Sequence, residues 1–341
     1  MDSALFDYYE DREAQTVELV REGAEQDAEI AEAEERHDPT RLCWANIDGD
    51  DNRCKILTGF ICGQFLELFD ICEGAMPVTL GRGRRSKISN HDKLLLALCY
   101  LKHYETKEKL QETFAISKTQ IHRNLDTTIK SITPVLYQRY IENIYTLIDP
   151  DVDQNNFPDA KFVMDTTTQE IWTPIGTYNE RKRYYSGKHK MYGLKSQTLH
   201  NRRGFTLHFI SGIPGAMHDL TIARQYIDVI RPFLIRPREG DDIDSDGEWS
   251  ILVDSGYKGL DRLVSAVIPY KKPIGGILDR EQRNFNRALA TQRVICERWY
   301  GRLKTKFRIM SSKYRNSRDD YGIYFSICAA LTNYSMIHNP L

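Results

Sequence analysis

The chain has 341 residues, enough for two domains that each bury a core. Its seven cysteines form an odd set without CxxC or paired CxxC and HxxxH spacing, which argues against a disulfide framework and a zinc module and favours a reducing compartment. No apolar stretch reaches the roughly 18–20 residues of a membrane span, and the acidic N-terminus lacks a cationic secretory start, so we expect a soluble, intracellular protein without a membrane partner.

The net charge of -1 hides an uneven distribution. Residues 1–38 contain 14 acidic and three basic residues, which leaves 44 basic and 34 acidic residues in the remainder. Residues 1–40 are predicted to be an acidic disordered arm, either a solubilising tail or a shield for a DNA-binding surface. The basic remainder suits a protein that approaches phosphates, although many soluble domains carry such an excess without binding nucleic acid.

Residues 41–150 are predicted to form an all-helical domain. Apolar residues recur at helical spacing over 55–69 and predict an amphipathic helix. A basic linker over 81–87 either tracks a phosphate backbone or is a solvated loop. Ser89 and Asn90 then introduce a helix that runs through Tyr100.

Two further helices in this region have helix-turn-helix spacing. Thr106 can cap the first, and the capping box from Ser117 to Gln120 starts the second at Lys118. Generic three-helix packing produces the same pattern, so DNA binding here is an interpretation. The polar residues expected to meet base edges or phosphates are Lys118, Thr119, Gln120 and Arg123, beside a surface histidine, His122.

The pattern from residue 157 onward changes from helical to alternating. Strands are predicted over 162–172, 192–199 and 205–211 as an antiparallel meander, followed by a helix over 219–230 and strands over 251–254 and 267–270. This is the order of an RNase H-like fold. The predicted fold class is therefore α/β, with an RNase H-like mixed-sheet catalytic core over residues 151–341 and the helix-turn-helix domain before it.

Three acidic residues are the candidate catalytic and metal-binding groups. Asp165 and Asp254 end the apolar runs of the first and fourth strands, which lie side by side and parallel in this fold, and Glu297 lies on a helix. Hard divalent cations prefer such carboxylates, so a two-metal phosphoryl-transfer site is predicted. The metal-free site should be strained by repulsion. The alternative for Glu297 is a surface ion pair with Arg293.

Further polar residues surround these acids in the sequence. His218 and Asp219 are candidate accessory residues, and Asp219 either caps a helix, the favoured interpretation, or is a fourth acid. Gly301 is costly inside a helix and indicates close approach by backbone or DNA. The lysines expected along a DNA path, or else in a solvated hairpin, are Lys188, Lys190 and Lys195, with Lys304 placed to meet phosphate.

Five stretches of the second half resemble the DDE endonuclease domain of PIF/Harbinger-type transposases. They are residues 163–166, 185–195, 212–219, 253–259 and 297–304. The resemblance covers about residues 157–340, and the segment 89–135 is similar to the helix-turn-helix that precedes this domain in the family. One departure is Thr166, where relatives often have glycine after the first acid.

The resemblance implies that Asp165, Asp254 and Glu297 form an acidic triad that holds two Mg²⁺ or Mn²⁺ ions. It implies cleavage at transposon ends followed by strand transfer, with double-stranded DNA of the ends and the target as the substrate. A Myb-like accessory DNA-binding protein, a homodimer and a nuclear location after import from the cytoplasm are also expected. Two alternatives are a domesticated, non-catalytic DNA-binding or adaptor protein, and a cellular nuclease without preference for terminal repeats; the intact triad favours the transposase.

Overall fold

A computed structural model describes residues 41–76, 88–148, 157–236 and 247–341 of the chain. The predicted acidic arm over 1–40 and the basic linker over 81–87 lie outside the described residues. The chain divides into two compact units. The first comprises residues up to Cys99 together with Glu105–Thr128, and the second comprises Tyr100–Tyr104 together with Ile129–Leu341.

The described helices before the sheet confirm the predicted all-helical character of this region. They are α1 (Asp51–Thr58), α2 (Cys62–Cys72), α3 (Asn90–His103), α4 (Lys107–Phe114) and α5 (Lys118–Tyr137). The single helix predicted over 55–69 is wrong, because Gly59 adopts a left-handed φ of 88° that ends α1. Glycine takes this conformation without steric cost, so the backbone turns there before α2 begins.

The two helices of the helix-turn-helix segment begin at the positions predicted from their capping residues. The Thr106 hydroxyl accepts a hydrogen bond from the Lys109 amide at 3.3 Å and caps α4. Ser117 and Gln120 form the reciprocal capping box at the start of α5, with backbone-to-side-chain distances of 3.1 and 3.3 Å. Ala115 has a left-handed φ of 50°, which makes the tight turn between the two helices.

The second unit is built on a mixed sheet, as predicted. Its strands are β1 (Ala160–Glu170), β2 (Tyr185–Ser186), β3 (Met191–Asn201), β4 (Thr206–Pro214), β5 (Ser250–Leu252) and β6 (Ala266–Val267). β1, β3 and β4 form the predicted antiparallel meander. β5 pairs with the other edge of β1 in parallel, and β6 pairs with β5 in parallel. The α/β fold class and its mixed sheet are therefore confirmed.

Helices of the second unit cover this sheet. They are α6 (Tyr178–Lys182), α7 (Asp219–Gln225), α8 (Ile227–Leu234), α9 (Arg280–Lys306) and α10 (Tyr321–His338). The helix predicted over 219–230 is two helices, because Tyr226 leaves the helical conformation with φ −117° and ψ 19°. In the described parts of the chain, no helix has the length and apolarity needed to cross a bilayer.

A buried hydrogen-bond network fixes α9 and α10 against the sheet. The Trp299 indole of α9 donates to the Asn333 side-chain oxygen of α10 at 3.2 Å. The Asn333 amide group donates in turn to the main-chain oxygens of Thr206 and Tyr140. Because all of these groups are buried and hydrogen-bonded, they define how α9 lies on the sheet. The residues of α9 that face β1 are thereby positioned.

Candidate active site

The register of β1 and β5 brings Asp165 and Asp254 to the same level of the sheet. The last parallel pair is Val163 with Leu252, and each aspartate lies two residues beyond its member of that pair. Asp165 lies in the middle of β1, which continues to Glu170, so its predicted position at a strand end is wrong. The strand that ends there is β5, and Asp254 follows it and caps the turn Ser255–Tyr257 by accepting from the Gly256 amide at 2.8 Å.

Asp219 is a third carboxylate at this position. A Cβ atom built on Gly256 would lie 2.9 Å from Asp254 Oδ1 and 3.3 Å from Asp219 Oδ2, so both carboxylates border the space that this glycine leaves open. The favoured capping role of Asp219 is wrong, since His218 is the N-cap of α7 and makes no side-chain capping bond. Asp219 instead accepts from the Lys195 ammonium at 2.8 Å.

The surroundings of Asp165 disfavour the ionised form of its carboxyl. The pKa of its carboxyl is raised from 3.8 to about 6; burial is the largest cause, and the charges of Asp254 and Asp219 act in the same direction. Arg293, whose guanidinium lies 3.6 Å from Asp165 Oδ2, lowers the pKa, as does the amide of Thr166. Strain in the metal-free site was predicted, but desolvation contributes more to it than repulsion between acids.

Glu297 is exposed on α9, and no hydrogen bond or ion pair joins it to the other two predicted acids in the described residues. Arg293, one turn earlier, pairs with Asp165, and the predicted alternative of an Arg293–Glu297 ion pair is not found among the described residues. Asp165 and Glu297 do share one neighbour, Cys296. Burial raises the pKa of the Cys296 thiol well above its usual value, and the charges of Asp165 and Glu297 raise it further.

The oxygen donors of this site suit a hard divalent cation. Their arrangement is not that of a formed metal site, because across the described residues no group of three or more His, Cys, Asp and Glu side chains is placed to hold a metal. The bases Arg293 and Lys195 instead neutralise Asp165 and Asp219. Asp165 and Asp219 therefore have basic partners, and Glu297 is exposed on α9.

Sequence reasoning missed the group that joins the two acid-bearing segments. Tyr257 is fully buried, and its hydroxyl lies 2.7 Å from the Thr166 hydroxyl and accepts from the Gln197 amide at 3.0 Å. Burial raises the pKa of Tyr257 well above its usual value, so the phenol stays protonated and shares a hydrogen bond with the Thr166 hydroxyl. Thr166, the departure noted in the sequence, thus ties β1 to the turn that carries Asp254.

A second buried tyrosine supports the Asp165 backbone. The Tyr300 hydroxyl of α9 donates to the Asp165 carbonyl oxygen at 3.0 Å and also contacts the Thr198 hydroxyl. Thr198 lies opposite Asp165 in the β1–β3 register and contacts the buried His200 imidazole at 2.7 Å. This chain of hydrogen bonds holds the part of β1 that bears Asp165. The only signal for it in the sequence was the aromatic residue Tyr300, three positions after Glu297.

Comparison with known families assigns both parts of the chain. Residues 164–333 match the family model described as DDE superfamily endonuclease. Residues 86–140 match the helix-turn-helix of DDE superfamily endonuclease. A helix-turn-helix with this endonuclease domain implies DNA as the partner.

One curated relative of the endonuclease is a protein named probable transposase for insertion sequence element IS702, from Microchaete diplosiphon. It is 24% identical over 289 residues, which are 83% of this chain and 94% of the relative. No solved structure matches the chain. Both parts of the chain therefore match models of the DDE superfamily endonuclease, while the PIF/Harbinger subtype stays a prediction.

Predicted DNA-binding lysines of the endonuclease domain gather around His189. Burial, followed by the charges of Lys188 and Lys195, lowers the pKa of the His189 imidazole, and Lys304 of α9 contributes in the same direction. Lys188 and Lys190 are exposed in the turn before β3. Lys195 is only 8% exposed and donates to the Met217 carbonyl and to Asp219, so its ammonium serves the acid cluster rather than a surface path.

The predicted recognition residues lie at the start of α5. Thr119 and Arg123 are exposed, and Lys118 is exposed but forms an ion pair with Glu108 of α4. Gln120 is half-buried and engaged in the capping box, so its side chain supports the turn. His122 is exposed, as predicted, and lies 3.0 Å from the Lys107 ammonium. Their contact with DNA stays a prediction.

Proposed function

We propose that the protein is a DNA transposase, which cuts double-stranded DNA at the ends of an element and joins the freed ends to a target. The observation that carries the proposal is the convergence of Asp165 and Asp254, 89 residues apart in sequence, two residues beyond the last β1–β5 pair. The family of the domain and the name of the IS702 relative support the same activity.

The site chemistry suits attack on a phosphodiester. Asp165 and Asp254 are the residues that would hold divalent ions, with Glu297 as the third donor from α9. Two such ions, Mg²⁺ or Mn²⁺, would when bound polarise the phosphate and assist both the attacking and the leaving oxygen. Arg293 neutralises Asp165 before loading, and Tyr257 and Tyr300 hold the two acid-bearing segments in place.

The finer assignment is the PIF/Harbinger type. It is supported by the five sequence stretches in order, which include the three acids. With this type we propose a Myb-like accessory protein that helps to recruit the nuclease, a homodimer that holds two ends, and a nuclear location. These proposals follow from the resemblance, and each has its own test in co-purification, sedimentation and imaging of the tagged protein.

Plasmid nicking with purified protein tests the activity. We expect wild-type protein to convert supercoiled plasmid to open circles in Mg²⁺, and Asp254→Ala to lose this activity. Asp261→Ala is the matched control, because Asp261 is an exposed acid seven residues later. Equal nicking by wild type and Asp254→Ala would remove Asp254 from the mechanism. Joining of labelled DNA ends to the plasmid would distinguish a transposase from a cellular nuclease.

The second candidate is a domesticated DNA-binding or adaptor protein without catalysis. It is favoured by the pairing of Arg293 with Asp165 and by the exposed position of Glu297. It requires that the acids serve only the fold. DNA binding by the wild type without nicking at any Mg²⁺ or Mn²⁺ concentration would support this candidate over the transposase.

A further inference from the structure

Gly301 lies inside α9 without a visible structural reason. The helix runs for 27 residues from Arg280 to Lys306, and Gly301 is exposed one turn before its end. Glycine is among the least favourable residues in a helix interior, second only to proline. The sequence left two explanations for it, close approach by another part of the backbone or close approach by DNA.

The structure removes the first explanation for the described part of the chain. A Cβ atom built on Gly301 would meet nothing within 4 Å. Elsewhere glycines are needed for packing, since a Cβ on Gly215 would lie 2.6 Å from the Tyr184 carbonyl oxygen. Gly301 also does not have the left-handed φ that favours glycine, in contrast to Gly204 with a φ of 90°.

The neighbours of Gly301 show what this open surface faces. Trp299, Tyr300 and Leu303 bury the opposite side of α9, which fixes Gly301 toward solvent. Glu297 lies one turn before it and Lys304 one turn after it in the i, i+4 and i, i+3 relation. The bare turn is therefore bordered by an acid of the proposed site and by a basic residue.

Lys304 is well placed to meet a phosphate beside this turn. It is half-buried, and desolvation lowers the pKa of its ammonium. Its charge contributes to lowering the pKa of the His189 imidazole, as does the charge of Lys188. Lys304, Lys188 and Asp219 all act on His189, so basic groups lie beside the acid cluster. A phosphate is the anion that a DNA strand would bring there.

We propose that the α9 turn centred on Gly301 is a contact surface for the sugar-phosphate backbone of the DNA strand entering the site, with the sugar against the bare helix and the phosphate toward Lys304. Helical amides are already hydrogen-bonded within α9, so the contact is steric and depends on the missing side chain. This inference rests on the proposed function in requiring DNA as the substrate, and it does not require that cleavage occurs.

Gly301→Ala and Gly301→Leu test the contact through two readouts that move in opposite directions. Alanine should raise the thermal midpoint of the free protein by about 2–4 °C, because helix propensity improves. Both variants should bind duplex DNA more weakly in the absence of divalent ions, and leucine should weaken binding by about tenfold or more. Ala290→Leu is the control, because Ala290 is exposed on the same helix three turns earlier.

The outcomes separate this inference from the proposed function. Equal DNA affinity of Gly301→Leu and Ala290→Leu, with both folded, overturns the contact surface. If Gly301→Leu does not fold, unchanged affinity of the more stable Gly301→Ala overturns it instead. Wild-type protein that binds DNA without nicking it contradicts the transposase alone, whereas wild-type protein without DNA affinity contradicts both.

Discussion

Neutralising Asp165 should stabilise the metal-free protein while abolishing DNA cleavage. The carboxyl pKa is raised from 3.8 to about 6. At about 1.4 kcal/mol per pH unit, this corresponds to about 3 kcal/mol of unfavourable interaction in the ionised form. Because the side chain is 20% exposed, solvent screens part of this energy, and we expect Asp165→Asn to gain about 2 kcal/mol at pH 7.5.

The sign of the pH dependence distinguishes this explanation from a general packing effect. Well below pH 3.8, Asp165 is protonated in both folded and unfolded wild-type protein, so the variant has little advantage. Between pH 3.8 and about 6 the unfolded carboxyl ionises while the folded one stays protonated, so the advantage of Asp165→Asn grows and reaches its maximum once the pH has risen through about 6.

Thermal unfolding in EDTA between pH 4.5 and 8 measures this difference. At pH 7.5 the midpoint of Asp165→Asn should exceed that of wild type by about 4–8 °C. Asp228→Asn is the matched control, because Asp228 is exposed on α8. Added Mg²⁺ should then raise the midpoint of wild type more than that of Asp165→Asn. A variant less stable than wild type at pH 7.5, or an advantage that does not vary with pH, would refute this reasoning.

Three further outcomes follow from the same site. Tyr257→Phe leaves the buried polar groups around Thr166 without their partner, so urea unfolding should show a loss of about 1–3 kcal/mol, with slower nicking. His200 is neutral in the folded protein because burial lowers its pKa from 6.5 to about 3. The free energy of unfolding of wild type should therefore fall as the pH drops below 6.5. The fall should exceed that of His200→Asn by up to about 1.4 kcal/mol per pH unit. Lys304→Gln should weaken DNA binding and lower the salt slope of the binding constant by about one.

Matched variants control each of these measurements. Tyr185→Phe removes an exposed hydroxyl, so it should leave stability unchanged where Tyr257→Phe does not. Lys271→Gln removes an exposed lysine from the loop before α9. Urea stability of Tyr257→Phe equal to wild type, identical acid slopes for wild type and His200→Asn, or an unchanged salt slope for Lys304→Gln would each contradict its own prediction.

Elements specified by local hydrogen bonds were predicted well from the sequence. Thr106 and Ser117 each cap a helix through a partner three residues later, so the signal lies within one turn of the chain. The breaks at Gly59 and Tyr226 were missed, because apolar periodicity continues across both positions although the backbone leaves the helix there. Periodicity reports which side of a segment is buried, and it does not report whether the backbone continues unbroken.

The sequence by itself determined the strand order and with it the convergence of Asp165 and Asp254, because parallel neighbours with matching register carry their following residues to one place. Only the tertiary structure decided which charges meet there. Arg293 reaches Asp165 across 128 residues of chain, Lys195 turns inward to Asp219, and Glu297 stays exposed. Such pairings depend on side-chain directions and on burial in the packed sheet and helix. The spacing of residues along the sequence does not predict either of these.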